Sequence, residues 1–451
     1  MVGKGIKVDL ISELLDQSQE EVKKMKPINI MVAGKTGVGK STLINSLFRE
    51  NLATTGIGEP ITKHLQRIAK KDIPLVLYDT RGLELDQEVQ ESVKNEIEET
   101  LTTNKKFGGE RIHLIYYCIN ANTSRIEPAE IELIQLMAKK VPVLIVLTQS
   151  IGSKAIEFKE YLEDKKLPVI GIFNVMAQPY PIYETVTIPK SGLTHLIQAT
   201  FVLIPEENRN AFTNMQQVDI AQKMKRARKW VKKYVISTFS VGFIPIPFSD
   251  ATLLVPMQIT MMAHITAVFG VSMDKATVTA LIGAVGGTTS ATFLGRYLTA
   301  NVLKLVPGAG SVVGGSVSGV TAALVTTALG MSYIEILAVM ARSEQKGITV
   351  SKEDLARLFK QKLGSRLKQG TSNEDFKALL PQFKTTGGSE NDNTEVSASG
   401  ANANEVTVDT IPKHPKRSRR IVLPTPLLKG WDKGLANAVR LAKGLRRKKE
   451  K

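Results

Sequence analysis

The stretch INIMVAGKTGVGKSTLINSLF (Ile28–Phe48) contains a short apolar run, a glycine-rich octapeptide and the start of an amphipathic helix. The octapeptide GKTGVGKS (Gly34–Ser41) matches the phosphate-loop pattern G-x-x-x-x-G-K-[ST]. Its glycines let backbone N–H groups turn inward around phosphates, and the following helix directs the positive end of its dipole toward them. Because the loop lies between a predicted strand and a predicted helix, it indicates a nucleotide site rather than a chance glycine-rich turn.

Further apolar runs of strand length follow the loop, and polar segments with helical periodicity separate them. The runs lie at 73–78, 112–119, 141–147 and 169–175, and the helical segments lie at 87–101, 128–140 and 154–165. Strands that alternate with helices are typical of a mostly parallel sheet with helices on both faces. We therefore predict an α/β P-loop nucleotide-binding domain over residues 28–205, preceded by an N-terminal helix within 1–27.

The chain beyond residue 205 has a different composition, because two long stretches lack charged side chains. Residues 276–295 and 305–334 carry none. A membrane-spanning helix needs about 20 predominantly apolar residues, and both stretches reach that length. Their many Gly, Ser and Thr residues suit close helix packing, either in lipid or in a water-soluble bundle. The sequence predicts an all-α hydrophobic domain over 215–345 and a small helical region over 346–383.

The net charge of +17 is concentrated in two places. Residues 411–451 carry a net charge of +12, and KMKRARKWVKK (Lys223–Lys233) contains seven basic and no acidic side chains. We predict a disordered linker over 384–411, rich in Gly, Ser and Asn, and a basic amphipathic tail over 412–451. Such a tail suits an anionic membrane surface or lipid bilayer. Nucleic acid is the less favoured partner, because Trp431 is the only aromatic residue in the tail.

The cysteine and histidine content argues against a disulfide-stabilised protein and against a zinc-binding one. The single cysteine, Cys118, cannot form an intramolecular disulfide, and five scattered histidines make no zinc-type cluster. The first 15 residues lack the apolar core of a secretory signal, and Val2 does not fit the myristoylation pattern. We therefore expect the protein in the cytoplasm or on the cytoplasmic face of the cell membrane.

Candidate phosphate and metal ligands lie in the loop and the segments after it. Lys40 is expected to reach the β- and γ-phosphates, and Ser41 to ligate Mg²⁺, the predicted cofactor. Asp79 ends a strand in LVLYDTRG (75–82) and is expected to bind the metal through water, with the Gly82 N–H at the γ-phosphate. Thr62 is the candidate γ-phosphate sensor and further metal ligand, with Thr54 and Thr55 as alternatives. The predicted nucleotide contacts of the loop are Gly34, Lys35, Thr36, Gly37, Val38, Gly39, Lys40, Ser41 and Thr42.

These motifs resemble the small GTPase domain of the Era-like type (TRAFAC class) over roughly residues 28–203. The resemblance implies GTP and GDP as ligands, GTP hydrolysis as the activity, and Lys40, Thr62 and Gly82 as catalytic groups. It also implies two switch loops, one carrying Thr62 and one following Asp79. The chain has Leu83 where Ras-like members have a glutamine that orients the attacking water. Hydrolysis is therefore expected to be slow without self-dimerisation, a cation or an activating partner.

The guanine-reading motif of this family, Asn/Thr-Lys-x-Asp, should follow the strand VPVLIVL (141–147). This chain has Thr148, Gln149, Ser150 and Ile151 there, so the aspartate that accepts hydrogen bonds from guanine is absent. The later NVMAQP (174–179) offers the backbone N–H of Ala177 to the guanine carbonyl oxygen. The predicted base-side contacts are Thr148, Gln149 and Ala177, and we expect reduced selectivity for guanine.

Residues 223–336 resemble a helical domain of unknown function that recurs beside bacterial GTPase domains. The shared motifs are FIPIPF (243–248), LLVPMQ (253–258) and PGAGSVVGG (307–315). The leading interpretation is a GTP-binding nucleotide switch with slow, Mg²⁺-dependent hydrolysis at the cytoplasmic face of a membrane. The alternatives are a soluble, ribosome- or RNA-associated GTPase and a nucleotide-binding scaffold with little hydrolysis.

Overall fold

The computed structural model describes residues 6–49, 57–60, 65–80, 90–102, 111–184, 186–241, 250–286 and 315–379. The strands are β1 Ile28–Ala33, β2 Ile57–Pro60, β3 Leu65–Ala69, β4 Leu75–Thr80, β5 Leu114–Asn120, β6 Val143–Thr148, β7 Gly171–Asn174, β8 Tyr180–Tyr183 and β9 Val186–Ile188. The helices of the first half are α1 Ile6–Lys23, α2 Lys40–Leu47, α3 Gln90–Thr102, α4 Pro128–Lys140, α5 Gly152–Asp164 and α6 Leu193–Leu203. Those of the second half are α7 Arg209–Met215, α8 Ile220–Val241, α9 Asp250–Phe269, α10 Lys275–Gly286, α11 Gly315–Gln345, α12 Lys352–Gln369 and α13 Glu374–Leu379.

Seven of these strands form one sheet in the order β2-β3-β4-β1-β5-β6-β7. Strands β4, β1, β5, β6 and β7 are parallel, and β2 and β3 add an antiparallel edge. Helices lie on both faces, as two neighbours in β5 show. The Tyr116 hydroxyl hydrogen-bonds Thr200 of α6 at 2.8 Å, and the Tyr117 hydroxyl reaches Glu130 of α4 at 3.4 Å. The predicted α/β fold is confirmed.

Three short strands, β2, β8 and β9, were not predicted by the sequence patterns. β2 and β3 pair at the edge of the sheet, and β8 and β9 form a separate antiparallel hairpin. Both pairs contain a proline, Pro60 or Pro181, which interrupts the alternation that marks a strand. The predicted linker and basic tail, residues 384–451, lie outside the described residues.

The helical domain is built around α8, α9 and α11. Gly330 in α11 allows α8 to approach closely, because a Cβ atom there would lie only 2.7 Å from Cγ2 of Val231. The helix pair α8 and α11 is thus packed through a small residue. Around it lie large buried side chains of the same core, among them Met261, Ile265, Phe269, Tyr333 and Leu337.

One segment in the described part of the chain, Ala322–Gln345, is long and apolar enough to cross a membrane. Its mean hydropathy reaches 1.7, and 83% of its most apolar window is buried within the protein. Here the segment is therefore a core helix of the bundle. Parts of the two uncharged stretches, at 287–295 and 305–314, lie outside the described residues.

Helix α1 packs against the helical domain rather than against the sheet. Ile11 and Leu14 belong to the same core as α9, α10 and α11. Glu21 near its end contacts His264 of α9, with 3.1 Å between the carboxylate and Nε2. Leu355 and Phe359 of α12 enter this core as well. The N-terminal helix, the hydrophobic domain and the small helical region therefore share one hydrophobic core.

Lys223 departs from the basic patch predicted over Lys223–Lys233, because its side chain is fully buried. Its Nζ donates to the carbonyl oxygens of Asn214 at 2.8 Å and Phe269 at 2.6 Å. Burial lowers the pKa of this lysine well below its ordinary value, since desolvation disfavours the charged form. Lys223 ties α8 to the ends of α7 and α9 and contributes no surface charge.

Candidate functional site

The loop between β1 and α2 has the backbone that its glycines permit. Gly34 has a φ of 137°, and a Cβ atom on it would lie 2.3 Å from the carbonyl oxygen of Cys118 in β5. Gly39 has a φ of 96° and precedes the first residue of α2. Residues other than glycine rarely adopt φ values in this region. The loop therefore wraps closely against β5 and ends at the N-terminus of a helix, where phosphate groups bind favourably.

Lys40 lies across this loop. Its Nζ donates to the carbonyl oxygens of Gly34 at 2.9 Å and Lys35 at 3.0 Å. The side chain is thus held over the turn by two neutral acceptors. An anion in the loop offers stronger, charge-assisted hydrogen bonds in their place.

A cavity of about 510 Å³ opens beside the loop. Asp79 reaches it from the carboxyl end of β4, where it pairs with Val32 of the neighbouring strand β1. Ligands of open α/β sheets bind at such carboxyl ends. The cavity is lined by Thr36, Gly37, Gly39, Lys40, Ser41, Thr42, Asp79 and Thr80. The structure thus brings the predicted phosphate and metal residues of the loop and of β4 together.

The donors in this cavity fit the predicted Mg²⁺. Ser41 offers a hydroxyl and Asp79 a carboxylate, and Mg²⁺ prefers oxygen ligands. Among the residues that the structure describes, no group of three or more His, Cys, Asp or Glu side chains could hold a metal. Magnesium sites in nucleotide enzymes use one or two protein oxygens, with water and substrate phosphates completing the coordination. Ser41 and Asp79 are the residues that would hold the ion.

The predicted base contacts lie at the end of β6 and after β7. Thr148 is buried, and its hydroxyl donates to the carbonyl oxygens of Val38 in the loop and Ile119 in β5, the latter at 3.1 Å. Thr148 therefore fastens the phosphate loop to the sheet. Ala177, the third predicted base contact, follows β7 and is 7% exposed.

Two asparagines that the sequence analysis missed surround Gln149. The amide of Asn122 donates to the Gln149 carbonyl oxygen at 3.1 Å, and the amide of Asn120 donates to its side-chain oxygen at 3.4 Å. Gln149 has a φ of 52°, so these contacts support a left-handed turn. An asparagine at the end of a buried strand, followed by another two residues later, is the signal that could have revealed them. Ile151, which follows, stands at the N-cap of α5 without a side-chain hydrogen bond.

Lys35 belongs to the loop, but its side chain turns away from the cavity. Its Nζ lies 2.6 Å from Glu127 and 3.4 Å from Glu130 at the start of α4. The hydrogen bond from Lys35 holds the pKa of the Glu127 carboxyl below its ordinary value. The structure therefore gives the lysine side chain an anchoring role, while its backbone stays in the predicted loop.

The remaining predicted site residues belong to segments that the structure does not describe. Thr62, Gly82 and Leu83, together with the alternatives Thr54 and Thr55, lie outside the described residues. Their assignment to the γ-phosphate and to hydrolysis stays a prediction.

The C-terminal end of helix α2 contacts the helical domain. No sequence pattern predicted this contact. Phe48 forms an antiparallel bridge with Gln216. The Arg49 guanidinium lies 2.8 Å from Glu344 of α11 and donates to the carbonyl oxygen of Gly270 at 3.1 Å. The helix that follows the phosphate loop is thus joined to the ends of α9 and α11 by a bridge and an ion pair.

Comparison with known proteins identifies two regions. Residues 29–149 match the family model described as 50S ribosome-binding GTPase, and residues 207–363 match a domain of unknown function (DUF697). The chain is 27% identical over 177 residues to the tRNA modification GTPase MnmE of Ureaplasma parvum, covering 39% of this chain and 38% of that protein. It is 26% identical over 167 residues to human Septin-12, covering 31% of this chain and 46% of that protein. The chain thus spans less than half the length of either relative.

Among solved structures, a variant of Aquifex aeolicus Era bound to GDP.AlF4⁻ is 17% identical, with a TM-score of 0.28, over 48% of this chain and 68% of that chain. The chain thus carries a segment, 29–149, that matches a GTPase family model, followed by a segment, 207–363, that matches the domain of unknown function. The finer Era-like assignment stays a prediction.

Proposed function

We propose that the protein is a GTP-dependent switch that hydrolyses GTP slowly with Mg²⁺ and acts at the cytoplasmic face of a membrane. The cavity that unites Lys40, Ser41 and Asp79 beside the phosphate loop carries the nucleotide part of this proposal. The GTPase family match over residues 29–149 supports it.

Different groups of the cavity bind the phosphates and stabilise their negative charge. Backbone N–H groups of the loop and the N-terminus of α2 face the phosphates, and Lys40 adds a positive charge at the end of a long side chain. Mg²⁺, held by Ser41 and Asp79, would neutralise charge on the phosphate oxygens. Thr148 keeps the loop against the sheet through its bond to Val38. These groups orient GTP and stabilise developing negative charge, which is the main protein contribution to phosphoryl transfer.

Turnover is expected to be slow because the apolar side chain of Leu83 cannot orient the attacking water by a hydrogen bond. Unassisted Ras, which has the glutamine, turns over at about 10⁻⁴ to 10⁻³ per second, and we expect the full-length protein alone to be no faster. Phosphate release from purified protein in Na⁺ buffer measures this rate. Several turnovers per second without K⁺, self-dimerisation or a partner would contradict the proposal that activation comes from outside the site.

Base discrimination is expected to be weak, and one substitution should restore it. Ile151 has no acceptor for the guanine amino group, so ITP should compete with GTP within about tenfold. Ile151→Asp supplies an acceptor at that position and also an N-cap residue for α5. The variant should prefer GTP over ITP by at least about tenfold more than the natural chain does, in competition calorimetry. If the natural chain already prefers GTP a thousandfold, other groups near Gln149 read the base.

The membrane part of the proposal rests on charge and composition. Ala322–Gln345 is mostly buried in the bundle, so the proposal rests on the lack of charge in the sequence at 287–295 and 305–314 and on the charge of the basic tail, 412–451. A tail of this composition favours anionic lipid headgroups. On this proposal the full chain floats with vesicles that contain anionic lipid.

A second candidate is a ribosome- or RNA-associated GTPase. The specific observation in its favour is the description of the matched family, 50S ribosome-binding GTPase. A net charge of +12 in the tail would also attract the phosphates of RNA. Binding of RNA with no binding to anionic vesicles would favour this candidate over the membrane.

A further inference from the structure

Helix α8 presents one buried face and one strongly basic face. The buried side chains lie four or three residues apart and comprise Lys223, Ala227, Val231, Val235 and Thr238. The exposed basic residues between them are Lys225, Arg228, Lys229, Lys232 and Lys233, which we call the α8 basic face. The helix has no acidic residue over its whole length. Because the other side of α8 packs against α11 and α9, this face is held rigidly on the domain core.

No acidic side chain among the described residues pairs with any of the five cations. Several cations elsewhere on the helical domain have acidic partners, as Arg366 and Lys362 have Glu335, at 2.5 and 3.2 Å. On α8, three like-charged pairs instead lie four residues apart: Lys225 with Lys229, Arg228 with Lys232, and Lys229 with Lys233. Such pairs destabilise a helix. An uncompensated field of this kind, fixed on a rigid helix, attracts an anionic partner.

Features beside the α8 basic face favour lipid over nucleic acid. Trp230 cannot offer a free ring for base stacking, because His264 packs on it with centroids 3.9 Å apart and Lys233 lies 4.3 Å from its centroid. Stacking on aromatic rings is what single-stranded nucleic acid requires. At the end of the face, Ile236 is 45% exposed. Cations beside an exposed apolar side chain are typical of membrane-surface helices.

We propose that the α8 basic face binds the anionic phospholipid headgroups of a membrane surface. This inference rests on the membrane part of the proposed function and deepens it, because it names the folded surface that meets the lipid. The α8 basic face is part of the folded core of the helical domain, so its binding fixes the orientation of that domain on the membrane. The basic tail, 412–451, is a separate source of positive charge in the sequence.

The test uses the full chain and compares two triple variants of equal charge change. The first removes cations from the face: Lys225→Gln, Lys229→Gln and Lys232→Gln. The matched control removes three exposed lysines of the nucleotide domain: Lys139→Gln, Lys154→Gln and Lys190→Gln. Flotation is measured with vesicles of phosphatidylcholine containing about 30% phosphatidylserine, and with phosphatidylcholine alone. GTP binding and thermal unfolding are measured for all three proteins to establish that the fold and the nucleotide site are intact.

Each basic residue near an anionic surface makes a sizeable contribution, so the α8 variant should bind phosphatidylserine vesicles at least about tenfold more weakly. The control variant should lose less than about twofold. Equal binding by the two variants overturns the inference and leaves the membrane proposal standing on the tail. No flotation of the natural chain overturns both, while intact GTP binding leaves the nucleotide function in place. Loss of affinity for a 20-nucleotide RNA, with vesicle binding unchanged, would make the face a nucleic-acid surface and also overturn the inference.

Discussion

Lys40→Ala is expected to lower the affinity for GTP by about 10- to 150-fold. In the structure the Lys40 ammonium is held over the loop by the carbonyl oxygens of Gly34 and Lys35. In the complex it would exchange these neutral acceptors for phosphate oxygens, which form charge-assisted hydrogen bonds. A hydrogen bond to a charged group contributes about 1.5–3 kcal/mol, which sets the expected range. Titration calorimetry with GTP and Mg²⁺ measures the loss.

Lys35→Ala is the matched control, because both lysines belong to the same loop. The Lys35 side chain is bound to Glu127 and Glu130 and points away from the cavity. Its removal should change the affinity for GTP by less than about threefold, and the partly exposed pair with Glu127 contributes at most about 1 kcal/mol to stability. Equal losses in the two variants would show that general positive charge binds the nucleotide, and would contradict the assigned role of Lys40.

Gly34→Ala is expected to damage both the loop and the sheet beneath it. The added Cβ would lie 2.3 Å from the Cys118 carbonyl oxygen, a backbone atom that cannot move without shifting β5. The positive φ adds strain of its own. Together we expect about 2–5 kcal/mol less free energy of unfolding and at least a tenfold loss of GTP affinity. Urea unfolding and calorimetry measure the two effects.

Gly37→Ala separates strain from collision. Gly37 has a φ of 76°, yet a Cβ atom there would meet nothing within 4 Å. This variant should therefore lose only the cost of a left-handed residue, about 1–2 kcal/mol. If Gly34→Ala proves no worse than Gly37→Ala, the close contact between the loop and β5 is not a feature of the folded protein in solution.

Local sequence patterns predicted the parallel sheet and the phosphate loop because short, contiguous segments of the chain encode both. Each buried strand is one apolar run, and Gly34–Ser41 contains the whole loop. Contacts between distant segments leave no such pattern. Lys223 looks like every other cation in its run, and only the packed helices reveal it as a buried group that binds two carbonyl oxygens. The ion pair of Arg49 with Glu344 joins residues far apart in the chain and could not be predicted for the same reason.

The base side of the site departs from its family motif in a way that the sequence reveals, but the groups around it are visible only in the fold. Ile151 stands where the motif has an aspartate, so its position in the sequence was enough to identify it. Asn120 and Asn122 belong to no motif, and their contacts with Gln149 depend on two strand ends meeting in space. The sequence alone therefore identifies Ile151 as a departure from the motif. The asparagines around Gln149 are identified only from the three-dimensional structure.

The packing of α1 has a consequence for how the protein is made. During translation α1 is synthesised before its partner α9, which begins more than 200 residues later. At about 5–20 residues per second, α1 waits roughly 10–45 seconds for that partner, while the nucleotide domain between them can already fold. Over that interval the apolar side chains of Ile11 and Leu14 have no core to enter. Nascent chains of this protein therefore present an early binding site for chaperones until α9, α10 and α11 are synthesised and cover it.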